Sequence, residues 1–199
     1  QDAADLLRPV YEETATRDGY VSLEVSPLLA GDTTGTLDEA RRLWHAVGRD
    51  NVMIKVPATP QGIPAIQQLI SEGINVNVTL LFAQDTYEQV ADAYMSGLEA
   101  LLARGGDPRR VASVASFFIS RIDAVVDTIV AKRLQASTSA KEQSLLRALS
   151  GKVAIANAKL TFQRFGEIVS GKRWQALASR GAQTQRLLWA STGTKNAAY

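Results

Sequence analysis

The amino-acid pattern predicts an α/β fold, a TIM-type (β/α) barrel that is incomplete here, with about five of its eight strands in this chain. Three observations carry that reading. Short segments rich in β-branched residues alternate with long segments of helical periodicity, as in parallel strands joined by crossover helices. Along the strands, one alternate set of residues is apolar and the other is polar. The polar set also gathers toward the C-terminal ends of the strands. A doubly wound open sheet, covered by helices on both faces, would be apolar on both. A barrel with its site at the C-terminal mouth accounts for the asymmetry.

Each element follows from its own residues. A helix is expected from about Ala3 to Thr16, with Leu6, Leu7, Val10 and Tyr11 at helical spacing. The first strand, Tyr20–Val25, sets Val21, Leu23 and Val25 against Ser22, Glu24 and Ser26. Thr36-Leu37-Asp38-Glu39 reads as a capping box opening a second helix that carries Leu43, Trp44 and Val47. In the strand Val52–Val56, Val52, Ile54 and Val56 share a face and Lys55 takes the other. Thr59-Pro60 starts a third helix that ends near Glu72-Gly73. The strand Ile74–Leu80 sets Ile74, Val76, Val78 and Leu80 against Asn75, Asn77 and Thr79. A fourth helix runs from about Gln84 to Arg104 and stops at Gly105-Gly106. After the strand Val111–Phe118, residues from Asp123 to Ser179 are almost wholly helical in pattern, punctuated at Ser137–Ser139, Gly151 and Gly171. Leu187–Ser191 is the last strand.

Composition narrows the class. The chain of 199 residues is read as one barrel domain over 1–199, truncated at both ends: it begins at Gln1 and stops just after a Gly-Thr-Lys-Asn turn. A net charge of +2 without a basic run points to neither nucleic acid nor membrane as a partner. No apolar run approaches the ~18 residues of a membrane span. Cysteine is absent, which excludes thiolate metal sites and fits a reducing, cytoplasmic compartment. His45 is the one histidine and is read as structural, so neither a metal nor a cofactor is expected. Trp174 and Trp189 are read as packing residues.

Lys55 is the candidate nucleophile. A lysine in mid-strand between apolar neighbours is partly desolvated, which disfavours an ammonium, and only the free amine attacks a carbonyl. Taken alone, it reads rather as a snorkelling or ion-paired lysine. Glu24, Asn77 and Thr79 occupy equivalent inward positions on flanking strands, and that changes the balance. Glu24 could pass protons or merely neutralise Lys55; Asn77 and Thr79 could hold water or substrate, or simply satisfy each other. Two strand ends also read as anion sites. One is Ser116-Phe117-Phe118-Ile119-Ser120-Arg121; the other is Ser191-Thr192-Gly193-Thr194-Lys195-Asn196. Hydroxyls, backbone N–H groups and a cation there suit a phosphate. For Arg121 the plain alternative is an ion pair with Asp123 or Asp127.

The segments Val21–Pro27, Asn51–Thr59, Gly73–Phe82, Ser113–Asp123 and Leu187–Asn196 resemble the transaldolases, block after block and in order. The resemblance spans essentially the whole chain. It implies a cofactor-free transfer of a dihydroxyacetone unit from a ketose phosphate, such as sedoheptulose 7-phosphate, to an aldose phosphate such as glyceraldehyde 3-phosphate. The pathway implied is the non-oxidative pentose phosphate pathway, and the partners are small sugar phosphates. It further implies Lys55 as the Schiff-base lysine, and Glu24 and Thr79 as the pair that positions the catalytic water. Asn77 would bind substrate near the imine. Ser116, Phe118, Arg121, Ser191 and Lys195 would form the substrate and phosphate sites. The family also carries an aspartate on a first strand and a Thr-x-Asn-Pro segment on a second, and neither is found here. The missing strands are expected either in a longer parent or to be replaced by a second chain covering the open edges, which would make a homo-oligomer. The alternatives are another class I barrel aldolase, of the deoxyribose-phosphate or fructose 6-phosphate type, and a catalytically inert transaldolase fragment.

Overall fold

The computed structural model describes residues 1–196. Its sheet has five strands in the order β1-β2-β3-β4-β5: β1 (Val21–Glu24), β2 (Val52–Pro57), β3 (Val76–Leu81), β4 (Ser113–Phe118) and β5 (Arg186–Ala190). Every neighbouring pair is parallel. Strands laid side by side in sequence order, each joined by a right-handed crossover, put all the helices on one face. That is the winding of a (β/α) barrel, here an incomplete one; a doubly wound sheet reverses its order partway.

The helices are α1 (Asp2–Glu13), α2 (Thr33–Val47), α3 (Gly62–Ser71), α4 (Gln84–Ala103), α5 (Ser120–Ala136), α6 (Ala140–Leu149), α7 (Val153–Ser170) and α8 (Lys172–Ala178). The expected breaks at 137–139, Gly151 and Gly171 all separate helices. Between the sheet and the helices lies the main core. Ile54, Val56, Val76, Val78, Ala115 and Phe117 meet Ile66, Leu69, Ile70, Tyr94 and Leu98 there. Each such fully buried aliphatic side chain is worth roughly 1.5–3 kcal/mol, which is what fixes the strands well enough to aim their other face. That face holds a much smaller apolar cluster of Met53, Ala112 and Val114, with Tyr20 against it.

Two local expectations are corrected, at the second helix cap and at Leu80. The second helix is capped by Asp32, whose carboxylate accepts from the Gly35 N–H at 3.0 Å; Thr36 instead donates to the Leu29 carbonyl at 3.0 Å. Asp32 captures the helix start because its short carboxylate reaches the unpaired N–H groups first. Leu80 does not share the core face. A register shift between Val78 and Leu81 gives Leu80 a φ of 59°, leaves it exposed, and hands its core position to Leu81. A bulge adds one residue to the strand, so everything after it changes face. In α1 the expected helix forms with Leu6 80% exposed and Ala4 as its buried residue. Both tryptophans read as packing residues do pack: Trp174 is buried and stacked on Tyr94, and Trp189, on the sheet-edge strand β5, meets Phe117 edge-on.

Candidate active site

The register of the sheet builds the site. Glu24 on β1 aligns with Lys55 on β2, and Lys55 aligns with Asn77 on β3. Alternation along each strand turns all three side chains to the face away from the helices. Lys55 Nζ lies 3.1 Å from Glu24 Oε2, with the lysine side chain 30% exposed and the glutamate 49%. The pair is therefore direct, at an accessible rim. A lysine on this face can reach a carbonyl from solvent, and a carboxylate in contact with it can take up or return a proton.

Behind this pair is a chain of neutral hydrogen bonds. Ser116, on β4 and buried, donates to Asn77 Oδ1 at 2.7 Å. Asn77, also buried, donates through Nδ2 to Ser22 Oγ at 2.9 Å. Thr79 follows Asn77 on the same face and is buried at 1% exposure, yet its hydroxyl has no hydrogen-bond partner among the described residues. Its carbonyl does: the Ala58 N–H donates to it at 2.8 Å. A buried hydroxyl left unpaired costs about 1–3 kcal/mol, and such groups are rare except where they serve a water or a ligand.

A second cluster forms where β4 and β5 end. The Ile119 and Ser120 N–H groups donate to the Ala190 and Ser191 carbonyls, each at 2.9 Å, and the Ser120 and Ser191 hydroxyls meet at 3.0 Å. Ser191 has a φ of 55°, a conformation costly for a non-glycine residue. Around these residues is a pocket of about 450 Å³ lined by Ser120, Asp123, Asp127, Thr192, Thr194 and Lys195. Among the described residues, Arg121 meets an aromatic ring on β4. Its guanidinium lies 4.6 Å from the centre of the Phe118 ring. The aspartates turn to the start of α7 instead: Asp123 accepts from the Ala154 N–H and Asp127 from the Gly151 N–H. That leaves the exposed arginine in cation–π contact with the ring.

The structure thus brings together Lys55, Glu24, Asn77 and Ser116 on one face, with Thr79 beside them. Lys195 lines the pocket at the β4–β5 mouth, Ser191 lies against Ser120 beside it, and Phe118 and Arg121 lie at the end of β4. Ser22 goes unread in the sequence as a site residue, and Ser120 is read there only as part of the anion-site segment. Ser22 sits in the polar set of β1 two positions before Glu24, and only the register shows that it reaches Asn77. Ser120 directly precedes Arg121 at the start of α5 and is distinguished only by its contact with Ser191. A cleft of about 520 Å³ at the opposite end of the strands, lined by Tyr11, Trp44, Asn75 and Arg110 among others, contains none of the predicted residues.

Among the described residues, no helix is long and apolar enough to cross a membrane. A family model described as Transaldolase/Fructose-6-phosphate aldolase matches residues 1–199. A Trichodesmium erythraeum protein named Transaldolase is 53% identical over 199 residues, which is all of this chain and 52% of that protein. A Nostoc sp. protein named Transaldolase 2 is 52% identical over all of this chain and 52% of its own length. A Streptomyces avermitilis protein named Transaldolase 1 is 52% identical over 99% of this chain and 50% of its own length. The chain spans about half the length of the curated relatives it matches. With the whole chain matched by one family model, it belongs to the transaldolase/fructose-6-phosphate aldolase family.

Proposed function

We propose that this chain carries the Schiff-base centre of a transaldolase, and that Lys55 is its nucleophile. The observation that carries the reading is the row Glu24–Lys55–Asn77 in register on one face, with the amine 3.1 Å from a carboxylate. The free amine of Lys55 attacks the ketose carbonyl to give a carbinolamine. Glu24 supplies the proton that lets hydroxide leave as water, and the imine forms on Lys55. The unpaired Thr79 hydroxyl holds that water, and later the water that hydrolyses the imine. The C4 hydroxyl of the ketose gives up its proton, the role that the first-strand aspartate implied by the resemblance would fill, as the bond between C3 and C4 breaks; an aldose phosphate leaves and an enamine remains on Lys55. The enamine carbon then adds to the carbonyl of a second aldose phosphate, and the proton returns to the new hydroxyl oxygen. Asn77 hydrogen-bonds the dihydroxyacetone unit throughout.

The same reading gives the β4–β5 mouth the phosphate. Arg121, Ser191 and Lys195 would hold its oxygens, with Phe118 walling the sugar chain and Ser116 keeping Asn77 in place. The substrates are then sedoheptulose 7-phosphate and glyceraldehyde 3-phosphate, in non-oxidative pentose phosphate metabolism of the cytoplasm. Relatives named transaldolase, at about half identity along the whole chain, support this over the aldolase reading that the family description also includes.

Borohydride reduction in the presence of fructose 6-phosphate tests the centre. A stable adduct should appear on the peptide containing Lys55 and vanish in Lys55→Arg, since arginine keeps the charge but offers no free amine near neutral pH. An adduct that persists in Lys55→Arg would remove Lys55 from the reaction. Supplying a ketose donor with and without an aldose acceptor then separates the activities. Transfer dominates in a transaldolase, and release of dihydroxyacetone dominates in an aldolase.

A further inference from the structure

Asn77 presents its amide across a torsion that is broad and roughly two-fold. A single hydrogen bond would leave that amide hinged. Two bonds, one at each end, set its plane. The structure supplies both, from strands on either side: Ser116 on β4 donates to Oδ1 at 2.7 Å, and Nδ2 donates to Ser22 Oγ on β1 at 2.9 Å. The second bond crosses over β2. Ser22 is in register with Met53, and Asn77 with Lys55, so the bond runs diagonally across the strand that carries the lysine. With both ends held, one N–H and one lone pair of the amide remain unassigned, and their directions are set relative to the Lys55 amine. Of the three members, Asn77 and Ser116 are buried, so their geometry is enforced by packing. Ser22 is exposed on an edge strand, so packing does not hold it and its hydroxyl is what it contributes.

We propose that Ser22 is a positioning residue of the Schiff-base centre: acting through Asn77, it fixes the amide that faces the substrate at Lys55. The inference rests on the proposed transaldolase reading of the site. A substrate hydroxyl bonded by a swinging amide loses orientation rather than affinity, so the loss should fall on the rate.

The test measures borohydride trapping with dihydroxyacetone as the probe, over a range of concentrations, by intact mass. Ser22→Ala should slow adduct formation at saturating probe by about threefold to tenfold, the scale of one hydrogen bond, with the half-saturating concentration within about twofold. Ser22→Thr keeps the hydroxyl in a strand-favouring side chain and should restore the rate. The decisive measurement is the cycle with Asn77. If Ser22 acts through Asn77, the Ser22→Ala/Asn77→Ala double variant is no slower than Asn77→Ala alone. Losses that multiply in the double variant, or a Ser22→Ala protein that traps at the wild-type rate, would overturn the proposal and leave the Lys55 reading intact. Absence of any adduct in the wild-type protein would overturn the Lys55 reading itself, and this inference with it.

Discussion

Replacing Thr79 with valine should stabilise the protein while slowing it. Thr79 is 1% exposed, and its hydroxyl has no partner among the described residues, although its backbone carbonyl is paired. An unpaired buried hydroxyl costs about 1–3 kcal/mol. Valine has nearly the same shape, is equally suited to a strand, and removes that cost without opening a cavity. The expected gain is about 1–2 kcal/mol, which in a chain of this size raises the melting temperature by about 3–6 °C. Catalysis should move the other way. If the hydroxyl holds the water that leaves and re-enters at Lys55, its loss should lower imine turnover by at least about tenfold. Calorimetric melting of both proteins, beside oxygen-18 exchange into the carbonyl of dihydroxyacetone, reads both effects. A Thr79→Val protein that melts lower would show that the hydroxyl is already satisfied in the resting site. One that melts higher but exchanges at the wild-type rate would remove Thr79 from the chemistry.

Three further predictions follow from the packing and the charges. Glu24→Gln keeps the shape of the side chain but removes its base, so in transfer assays of the complete enzyme kcat should fall by about 10²–10⁴-fold with little change in KM; an effect confined to KM would make Glu24 a binding group. Gly97→Ala would gain about 1 kcal/mol of helix propensity on an open helix. Here the new Cβ would lie 2.7 Å from both the Gln67 carbonyl oxygen and Ile70 Cβ, so overpacking by about 1–3 kcal/mol should win and lower the urea midpoint. A raised midpoint would mean that α3 and α4 can part at no cost. Burial pushes the phenols of Tyr87 and Tyr94 well above the ordinary range. Their folded values exceed their unfolded ones, so their contribution is complete below about pH 10 and falls as pH rises further. Urea midpoints should therefore drop above about pH 10, and a flat profile to pH 11.5 would contradict the burial.

Period-two alternation is local, and that is why the faces of Lys55, Glu24 and Asn77 could be read in advance. Lys55 falls opposite Ile54 and Val56, and Glu24 opposite Leu23 and Val25, whatever the rest of the chain does. The same locality let Gly151, Gly171 and residues 137–139 mark where one helix stops and another starts. The five strands and their parallel order rest on these short-range signals together with crossover chirality. What tertiary structure decided is register and competition. Leu80 fits the apolar set by alternation, but the bulge next to β4 moved Leu81 into the core in its place. The arginine at 121 had two aspartates within reach in sequence, and both went to the start of α7 while a ring on β4 took the guanidinium. Ser22 and Asn77 are 55 positions apart and on non-adjacent strands, so no sequence spacing links them. A strand's own residues choose which face each side chain takes. Only the packing of helices against the far side of the sheet chooses which residues on that face stand level with one another.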